Sequence, residues 1–337
     1  MEISKSGRKI CERNLEKNEK LKEIEASVRY MKQDILNTIK SAGTGAEKIL
    51  VVVSLLLISG FANCQSQEGR ILEGVGFYSE ILQMERKYSV YMPSGYETDT
   101  RYYPVLYLLH GGGGDHTTWI QSGEVKQIAD KAILSGFATP MIIVMPNARD
   151  SIKGYYNFIK GGFDYEDFFM QELIPHIEKT YRCRTKRRYR AVAGQSMGGG
   201  GTIFYALHHP EMFAAAAPLS AVTESWKMED LVSKLGRKGI EEVTDKQLED
   251  YYHQYSIPEI LKASGKKQLE GIRSVRWYIS CGDDDYLYEG NSLMHIAFRK
   301  AEIPHEFRVK EGGHPWSYWR MELPEVLHFV SQSFTEF

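Results

Sequence analysis

Cysteine is scarce in this chain, with 4 among 337 residues. Cys11 and Cys64 lie near the front, which leaves Cys183 and Cys281 for the rest of the chain. Two cysteines are too few for a disulfide framework, and we expect both to be buried thiols in a hydrophobic core. The chain also lacks an excess of either charge, because 42 Lys and Arg oppose 44 Asp and Glu. We therefore expect no nucleic-acid partner and interpret the basic run at 182–190 as a solvated turn.

An apolar run long enough to span a bilayer, about twenty residues, is also absent from the sequence. The run at 49–58 has about half that length, follows two lysines and precedes the small residues of Gly60-Phe61-Ala62. This pattern predicts a cleaved signal peptide over residues 49–64. A bacterial lipoprotein acylated at Cys64 is one alternative, and a buried segment of a globular domain is another. Either signal predicts an exported protein, periplasmic or at the bacterial cell surface, whose expected membrane contact is a lipid anchor at Cys64.

Residues 1–48 are rich in Lys and Glu and form an unusually long stretch ahead of a signal. We interpret residues 1–48 as disordered, with translation starting at Met31 and the part before it as an extension of the gene model. A short solvated helix is the alternative. Residues 70–337 are numerous enough for one large α/β domain with its own core.

Gly194-Gln195-Ser196-Met197-Gly198 follows a β-prone stretch and precedes the small residues Gly199–Gly201, which open a segment of helical spacing. Strand, G-x-S-x-G and helix in this order predict a nucleophile elbow, in which a sharp turn exposes the serine hydroxyl. Four glycines at the start of a helix indicate a close backbone approach that larger residues would block. A glycine-rich turn with an incidental serine is the alternative. Ser196 is the candidate nucleophile.

A nucleophilic serine needs a base, and His314 differs from the other histidines because it lies in a loop after a predicted strand, Glu306–Lys310. Donors for an oxyanion are predicted where the strand 104–109 ends in His110-Gly111-Gly112-Gly113-Gly114. A loop of this type contributes a backbone N–H together with that of the residue after the nucleophile, here Met197. A phosphate-binding loop is the alternative, and the absence of the Lys-Ser/Thr pair disfavours it. His110, Asp115 and His116 lack a further spaced ligand, so we expect no metal and no cofactor.

The carboxylate that orients the base is predicted at the end of the buried strand 275–281, where Asp283, Asp284 and Asp285 follow Gly282. One of the three can accept the imidazole N–H, and the others can cap a helix starting near residues 290–292. Their spacing does not choose among them. A calcium site is the alternative, but the spacing is not that of an EF-hand loop.

Strands and helices alternate along the chain, with two antiparallel strands, 71–77 and 85–91, in front. Further strands are predicted near Val105, Ile142, Ala191, Ala214, Trp277 and Phe307, and helices at Asp164–Tyr181 and Trp316–Phe334. This alternation predicts a mostly parallel, doubly wound sheet. A polar, helix-prone insertion between Ala221 and Gly271 is expected to form a lid over the site. Four aromatic residues near the predicted site are candidates for stacking on an aryl group or a sugar, with core packing as the alternative: Trp119, Tyr156, Trp226 and Trp316.

From about Gly74 to the C-terminus, the sequence resembles the putative-esterase family of α/β-hydrolases. That family includes feruloyl and acetylxylan esterases, esterase D, siderophore esterases and mycolyltransferases. The resemblance rests on Tyr91-Met92-Pro93, Tyr103–Gly111, Gly194–Gly199, Gly282–Asp285 and Gly312-Gly313-His314. It implies that the acid is the last residue of a G-x-x-D turn, here Asp285. It also places the second oxyanion amide at Gly112.

The resemblance implies a serine carboxylic-ester hydrolase that releases feruloyl or acetyl groups from a plant polysaccharide such as xylan. Predicted export argues against the glutathione thioester of esterase D, because that substrate is cytosolic. A siderophore esterase, an acyltransferase and a non-catalytic carbohydrate-binding protein are the alternatives. The sequence gives no indication of the oligomeric state.

Overall fold

The computed structural model describes residues 68–148, 154–223, 226–237 and 243–335. These residues belong to one compact unit, Gln67–Phe337. The predictions for residues 1–48, for the signal at 49–64 and for Cys64 lie outside the described residues.

Eight strands form one mixed sheet in the order β1-β2-β4-β3-β5-β6-β7-β8. β1 and β2 pair antiparallel, as do β2 and β4, while the pairs from β4 to β8 are parallel. The mostly parallel sheet predicted from the sequence is therefore confirmed. The strand bounds are β1 Arg70–Ser79, β2 Met84–Met92, β3 Val105–Leu109, β4 Ile142–Pro146, β5 Arg190–Gln195, β6 Ala215–Leu219, β7 Arg276–Gly282 and β8 Glu306–Lys310.

Helices connect the strands and cover both faces of the sheet. Their bounds are α1 Thr118–Gln121, α2 Val125–Leu134, α3 Tyr165–Phe168, α4 Ile174–Thr180, α5 Met197–His208, α6 Met228–Arg237, α7 Asp245–Tyr255, α8 Ile257–Ala263, α9 Lys266–Ser274, α10 Tyr288–Lys300 and α11 Trp316–Thr335. A π-helical turn, Phe169–Leu173, joins α3 to α4, so the helix predicted at Asp164–Tyr181 is present with a bulge inside it. Among the helices described, none has both the length and the apolar character needed to cross a membrane.

The central strands are buried on both faces, because every residue of β3, β4, β5 and β6 lies in the interior. Alternate residues of β3 contribute to two separate clusters, with Tyr107 in one and Leu106 in the other. Side chains of a strand alternate between the faces, so the two clusters are the two layers of core. Cys183 and Cys281 are free, buried thiols, as predicted, and burial raises the pKa of each to about 12.

The strand order brings four predicted loops to one edge of the sheet. β3, β5, β6, β7 and β8 are consecutive neighbours and run parallel, so their carboxyl ends lie side by side. Ligands of doubly wound sheets bind at this edge. The loops that leave β3, β5, β7 and β8 carry His110–Gly114, Ser196, Asp283–Asp285 and His314, respectively.

The predicted insertion between β6 and β7 contains α6, α7, α8 and α9. α7 begins with a capping box, in which Thr244 accepts from the Gln247 backbone and the Gln247 side chain accepts from Thr244. At the other end of α7, the ring of Tyr255 packs against Tyr156 and Phe204, with centroids 4.9 and 5.4 Å away. The insertion is thus attached to the flank of the nucleophile-bearing helix α5.

A buried ion pair reinforces this attachment. Glu166 of α3 is 3% exposed, and its Oε1 lies 2.7 Å from His208 Nδ1 and 3.1 Å from His209 Nε2. Its Oε2 accepts from the Tyr255 hydroxyl at 2.9 Å. His208 Nε2 lies 2.8 Å from the carbonyl oxygen of Gln254. A carboxylate and a carbonyl can only accept, so both ring nitrogens of His208 carry protons and the ring is an imidazolium.

The pKa values of the pair agree with this assignment. Burial alone would raise the pKa of Glu166, but the charges and hydrogen bonds of His208 and His209 outweigh it and lower the pKa to about 2. Burial alone would lower the pKa of His208, but Glu166 and the Gln254 carbonyl raise it above its ordinary 6.5. The pair therefore stabilises the fold fully between pH 4.5 and pH 6.5, and the stabilisation is lost as the pH rises through the folded pKa of His208. On the acid side it is lost as the pH falls from 4.5 towards 2.

We expect Glu166→Gln to lower the free energy of unfolding by roughly 3 kcal/mol at pH 6, because it leaves a buried imidazolium without its counter-charge. It should also flatten the decline in stability of the wild type above pH 6.5, because that decline comes from deprotonation of His208. Urea unfolding at pH 5.5, 7 and 9 measures both effects. Glu249→Gln is the matched control, since Glu249 pairs with His253 at the surface and should leave the midpoint nearly unchanged. If the stability of the Glu166→Gln variant declined with pH as steeply as that of the wild type, the assignment of His208 as an imidazolium would be contradicted.

Candidate active site

Ser196 lies in a sharp turn between β5 and α5. Its backbone has φ 55° and ψ −116°, a left-handed conformation that is strained for a residue with a side chain. Two hydrogen bonds hold the turn: the Ser196 N–H donates to Leu219 O at 2.9 Å, and the Val222 N–H donates to Ser196 O at 3.0 Å. The strand–turn–helix context predicted around Ser196 is present. The end of β6 thereby fixes the residue on both sides.

Two glycines permit this turn. A Cβ on Gly194 would lie 2.5 Å from the carbonyl oxygen of Gly198, and one on Gly198 would lie 2.5 Å from the carbonyl oxygen of Leu109. No side chain fits at such distances, so the helix begins in backbone contact with the ends of β5 and β3. The close approach that the glycine run predicts is found here.

Ser196, His314 and Asp285 form a continuous hydrogen-bonded chain. His314 Nε2 lies 2.9 Å from Ser196 Oγ, and His314 Nδ1 lies 2.8 and 3.0 Å from the two carboxylate oxygens of Asp285. An ionised carboxylate can only accept, so Nδ1 carries the ring proton and Nε2 of the neutral ring accepts from the serine hydroxyl. The ring is therefore oriented to take the proton of Ser196.

Asp285 is kept ionised inside the protein. Its side chain is 0% exposed. Burial alone would raise its pKa, but hydrogen bonds from His314 and from the Leu287 N–H outweigh it and lower the pKa below its ordinary 3.8. A buried anion beside Nδ1 holds the required tautomer and can stabilise an imidazolium when one forms.

The structure distinguishes the three adjacent aspartates, which their spacing does not. Asp283 and Asp284 are exposed, and Asp283 Oδ1 accepts from the Gly312 N–H at 2.9 Å. Asp283 thus braces the loop that carries His314. The prediction that the spare aspartates cap the next helix is wrong, because α10 begins after Leu287 and has no side-chain cap.

The glycine loop after β3 lies beside the nucleophile. Gly112 is exposed, and a Cβ placed on it would meet nothing within 4 Å, so the loop borders open space at this residue. Met197 is the first residue of α5, and a helix leaves the N–H groups of its first turn without intrahelical partners. The role of Gly112 and Met197 as oxyanion donors stays a prediction.

Buried side chains fix this loop. The Trp119 indole N–H donates to Leu109 O at 2.9 Å, and the Tyr155 hydroxyl donates to His110 O at 3.1 Å. His110 Nε2 accepts from the Ala148 N–H at 2.9 Å, so the ring proton is on Nδ1, which lies 2.8 Å from Gly111 O. Burial lowers the pKa of His110 to about 4, which keeps the ring neutral. His110 therefore supports the loop rather than a metal. Within the described ranges, no group of three or more His, Cys, Asp or Glu side chains is arranged to hold a metal ion.

The aromatic candidates for substrate contact have different environments. The prediction is wrong for Trp119, which is 0% exposed and packs edge-on against Trp316 with centroids 5.1 Å apart. Tyr156 is buried against α5 and α7 and is a core residue. Trp226 and Trp316 are half-buried and keep part of their surface open, so substrate contact at these two stays a prediction.

Sequence reasoning missed Tyr286. Its ring is 70% exposed and lies 4.5 Å from the His314 ring, centroid to centroid, at an angle of 49°. The available signal was its position directly after Asp285 in a strand-end loop. A second aromatic partner of the imidazole, Trp319, is buried and packs edge-on with centroids 4.9 Å apart.

Comparisons with known proteins match this fold and the family of the sequence. The model of the family described as "Putative esterase" matches residues 79–330. A solved structure described as a ferulic acid esterase is 35% identical, with a TM-score of 0.69 over 79% of this chain and 100% of that one. S-formylglutathione hydrolase from Staphylococcus aureus, 22% identical with a TM-score of 0.59 over 78% of this chain and 99% of that one, shares the fold.

Sequence relatives agree with the solved structures. An endo-1,4-beta-xylanase/feruloyl esterase of Xylanibacter ruminicola is 36% identical over 159 residues, which are 45% of this chain and 22% of that protein. An acetyl esterase of Caldicellulosiruptor saccharolyticus is 21% identical over 77% of this chain and 97% of its own length. The chain thus spans less than a quarter of the xylanase relative.

The sheet order, the strained serine turn and the hydrogen-bonded Ser196–His314–Asp285 chain are features of an α/β-hydrolase. Since the family model also covers most of the sequence, the chain belongs to the "Putative esterase" family and is a carboxylic ester hydrolase.

Proposed function

We propose that this protein is a serine esterase that releases feruloyl or acetyl groups from a plant polysaccharide such as xylan. The observation that carries the proposal is the unbroken chain from Ser196 Oγ through His314 to Asp285, with distances of 2.9 and 2.8 Å. A non-catalytic carbohydrate-binding protein would have no need of this arrangement.

In the first half of the reaction, Ser196 Oγ attacks the ester carbonyl while His314 Nε2 takes its proton. The N–H groups of Gly112 and Met197 stabilise the oxyanion, and each such donor contributes roughly a hundred- to a thousandfold in rate. Asp285 stabilises the imidazolium. His314 then gives its proton to the leaving alcohol, and the acyl group stays on Ser196.

In the second half, water takes the place of the alcohol. His314 accepts a proton from that water as it attacks the acyl-enzyme, and the same oxyanion donors act again. The carboxylic acid leaves, and the proton on Nε2 returns to Ser196. Protein side chains and backbone amides supply every proton transfer and every charge contact in these steps.

The acyl group and the alcohol are inferred from the relatives. Two of the similar proteins have feruloyl or ferulic acid esterase in their names, and a third is called an acetyl esterase. The half-buried indole rings of Trp226 and Trp316 offer surface for an aryl acid or a sugar. A polysaccharide substrate also fits the proposed export of the protein, for which the apolar run at 49–58 is the support.

We expect Ser196→Ala to lower kcat at least about a thousandfold, because it removes the attacking oxygen. Initial rates on methyl ferulate, p-nitrophenyl acetate and acetylated xylan, for wild type and variant, measure the loss and the acyl preference. Unfolding midpoints of both proteins serve as the control for folding. Turnover by the variant at a rate comparable to that of the wild type would refute the serine mechanism.

We expect Asp285→Asn to lower kcat roughly a thousandfold or more, because the amide N–H₂ favours the wrong tautomer of His314. Asp283→Asn is the matched control. The amide introduced by this substitution keeps an oxygen that can accept from the Gly312 N–H, so its effect should stay below about tenfold. Steady-state kinetics of the two variants on methyl ferulate make the comparison. Equal losses would contradict the assignment of Asp285 as the acid.

A further inference from the structure

We propose that Tyr286 is the platform on which the leaving alcohol stacks, and that this alcohol is a neutral sugar ring. The inference rests on the proposed serine esterase function and extends it to the alcohol part of the substrate. The observation that supports it is the exposed ring of Tyr286, whose centroid lies 4.5 Å from that of the candidate base, His314.

The imidazole of His314 contacts four side chains, of which Tyr286 is the exposed one. Asp285 holds Nδ1, Ser196 lies at Nε2, and the buried Trp319 packs edge-on against the ring. Tyr286 contacts the ring as well, yet 70% of its own surface is exposed. A molecule that approaches the imidazole from solvent therefore meets Tyr286.

The chemistry places the alcohol on this side. His314 Nε2 must protonate the leaving oxygen, so that oxygen has to come within roughly 3 Å of Nε2. The ester carbonyl oxygen points instead to the amides of Gly112 and Met197, and the acyl carbon chain takes the remaining direction. Of the three substituents on the reacting carbon, the alcohol is thus the one that lies next to the imidazole and its exposed neighbour.

Tyr286 is held in place by its backbone. On one side, the Asp285 N–H donates to Gly282 O at 3.3 Å. On the other, the Leu287 N–H donates to Asp285 Oδ1 and the Tyr288 N–H donates to Asp285 O, both at 2.9 Å. A side chain on a braced loop loses little freedom on binding, which favours its use as a contact surface.

The surrounding charge narrows the class of alcohol. Four exposed carboxylates lie within a few residues of Tyr286 or His314 in the sequence: Asp283, Asp284, Glu289 and Glu311. Like charges repel an anionic alcohol or thiol, whereas carboxylates accept hydrogen bonds from sugar hydroxyls. The flat ring offers apolar surface to the C–H face of a sugar. A neutral sugar fits these requirements, and a peptide thiol with free carboxylates does not.

The test compares two esters of one acid. For wild type and Tyr286→Ala, kcat and KM are measured on methyl ferulate and on a feruloyl ester of a neutral pentose oligosaccharide. Methyl acetate and an acetylated xylo-oligosaccharide form a second pair, so that either acyl group can be used. We expect kcat/KM to fall about tenfold more for the sugar ester than for the methyl ester, mainly through KM, because the methyl ester has no ring to stack.

Two further variants control for structure. Tyr286→Phe keeps the ring and should retain the preference for the sugar ester. Tyr78→Ala removes a tyrosine of similar exposure, 56%, from edge strand β1 and should change neither ester. The pH profile of kcat/KM on the methyl ester shows whether Tyr286→Ala disturbs His314.

The outcomes are separable. Equal losses on both esters, or a shifted pH profile with an unaltered ester preference, would mean that Tyr286 only positions His314, and would overturn the proposal. No loss on the sugar ester would overturn it too. If wild type turns over none of the esters, or if Ser196→Ala keeps their turnover, the proposed function fails, and the inference about Tyr286 fails with it.

Discussion

Backbone contact between the first turn of α5 and the ends of β3 and β5 is the constraint on which the site depends. With glycine at 194 and 198, the helix approaches closer than any side chain permits. That approach is accompanied by the strained turn at Ser196 and places Gly198 against the carbonyl oxygens of Leu109 and His110, where the glycine loop begins. The candidate nucleophile and the first residue of α5 thus depend on one backbone contact, and a larger residue at either glycine would move both.

Two buried histidines show how partners decide protonation. His110 receives a hydrogen bond from a backbone N–H, which leaves it neutral and makes it a support for the oxyanion loop. His208 faces two acceptors, Glu166 and the Gln254 carbonyl, so it is charged. Burial lowers the pKa in both cases. For His110 it outweighs the Gly111 carbonyl and the charge of Asp115, whereas for His208 Glu166 and the Gln254 carbonyl outweigh it. The first ring shapes the chemistry, and the second attaches the helical insertion to the domain.

Much of the fold and the centre of the site could be predicted because their signals are local. A strand, a glycine-rich turn and a helix follow one another around Ser196, and His314 follows a short strand, so periodicity and turn residues suffice for these. The choice among the three aspartates was different. Which carboxylate meets the imidazole depends on a loop 29 residues further along, and only the resemblance pointed to Asp285.

The solvent exposure of individual side chains could not be predicted from the sequence. Trp119 and Tyr286 both follow strand ends, yet the first is enclosed by α11 and the second stands in solvent. Whether such a side chain is buried depends on packing against elements that are distant in the sequence, and the sequence alone does not reveal that packing. The role of Asp283 could not be predicted for the same reason, because its partner, the Gly312 N–H, belongs to another loop.

The two thiols of the domain have a consequence for its chemical durability. Oxidants and disulfide partners react with the thiolate, and a pKa of about 12 leaves almost no thiolate at neutral pH. Cys183 and Cys281 are also closed off from solvent, although Cys281 is the last residue but one of β7 and lies shortly before Asp285. Folding and activity therefore need neither a reductant nor a disulfide, and the domain can work unchanged in oxidising and reducing surroundings.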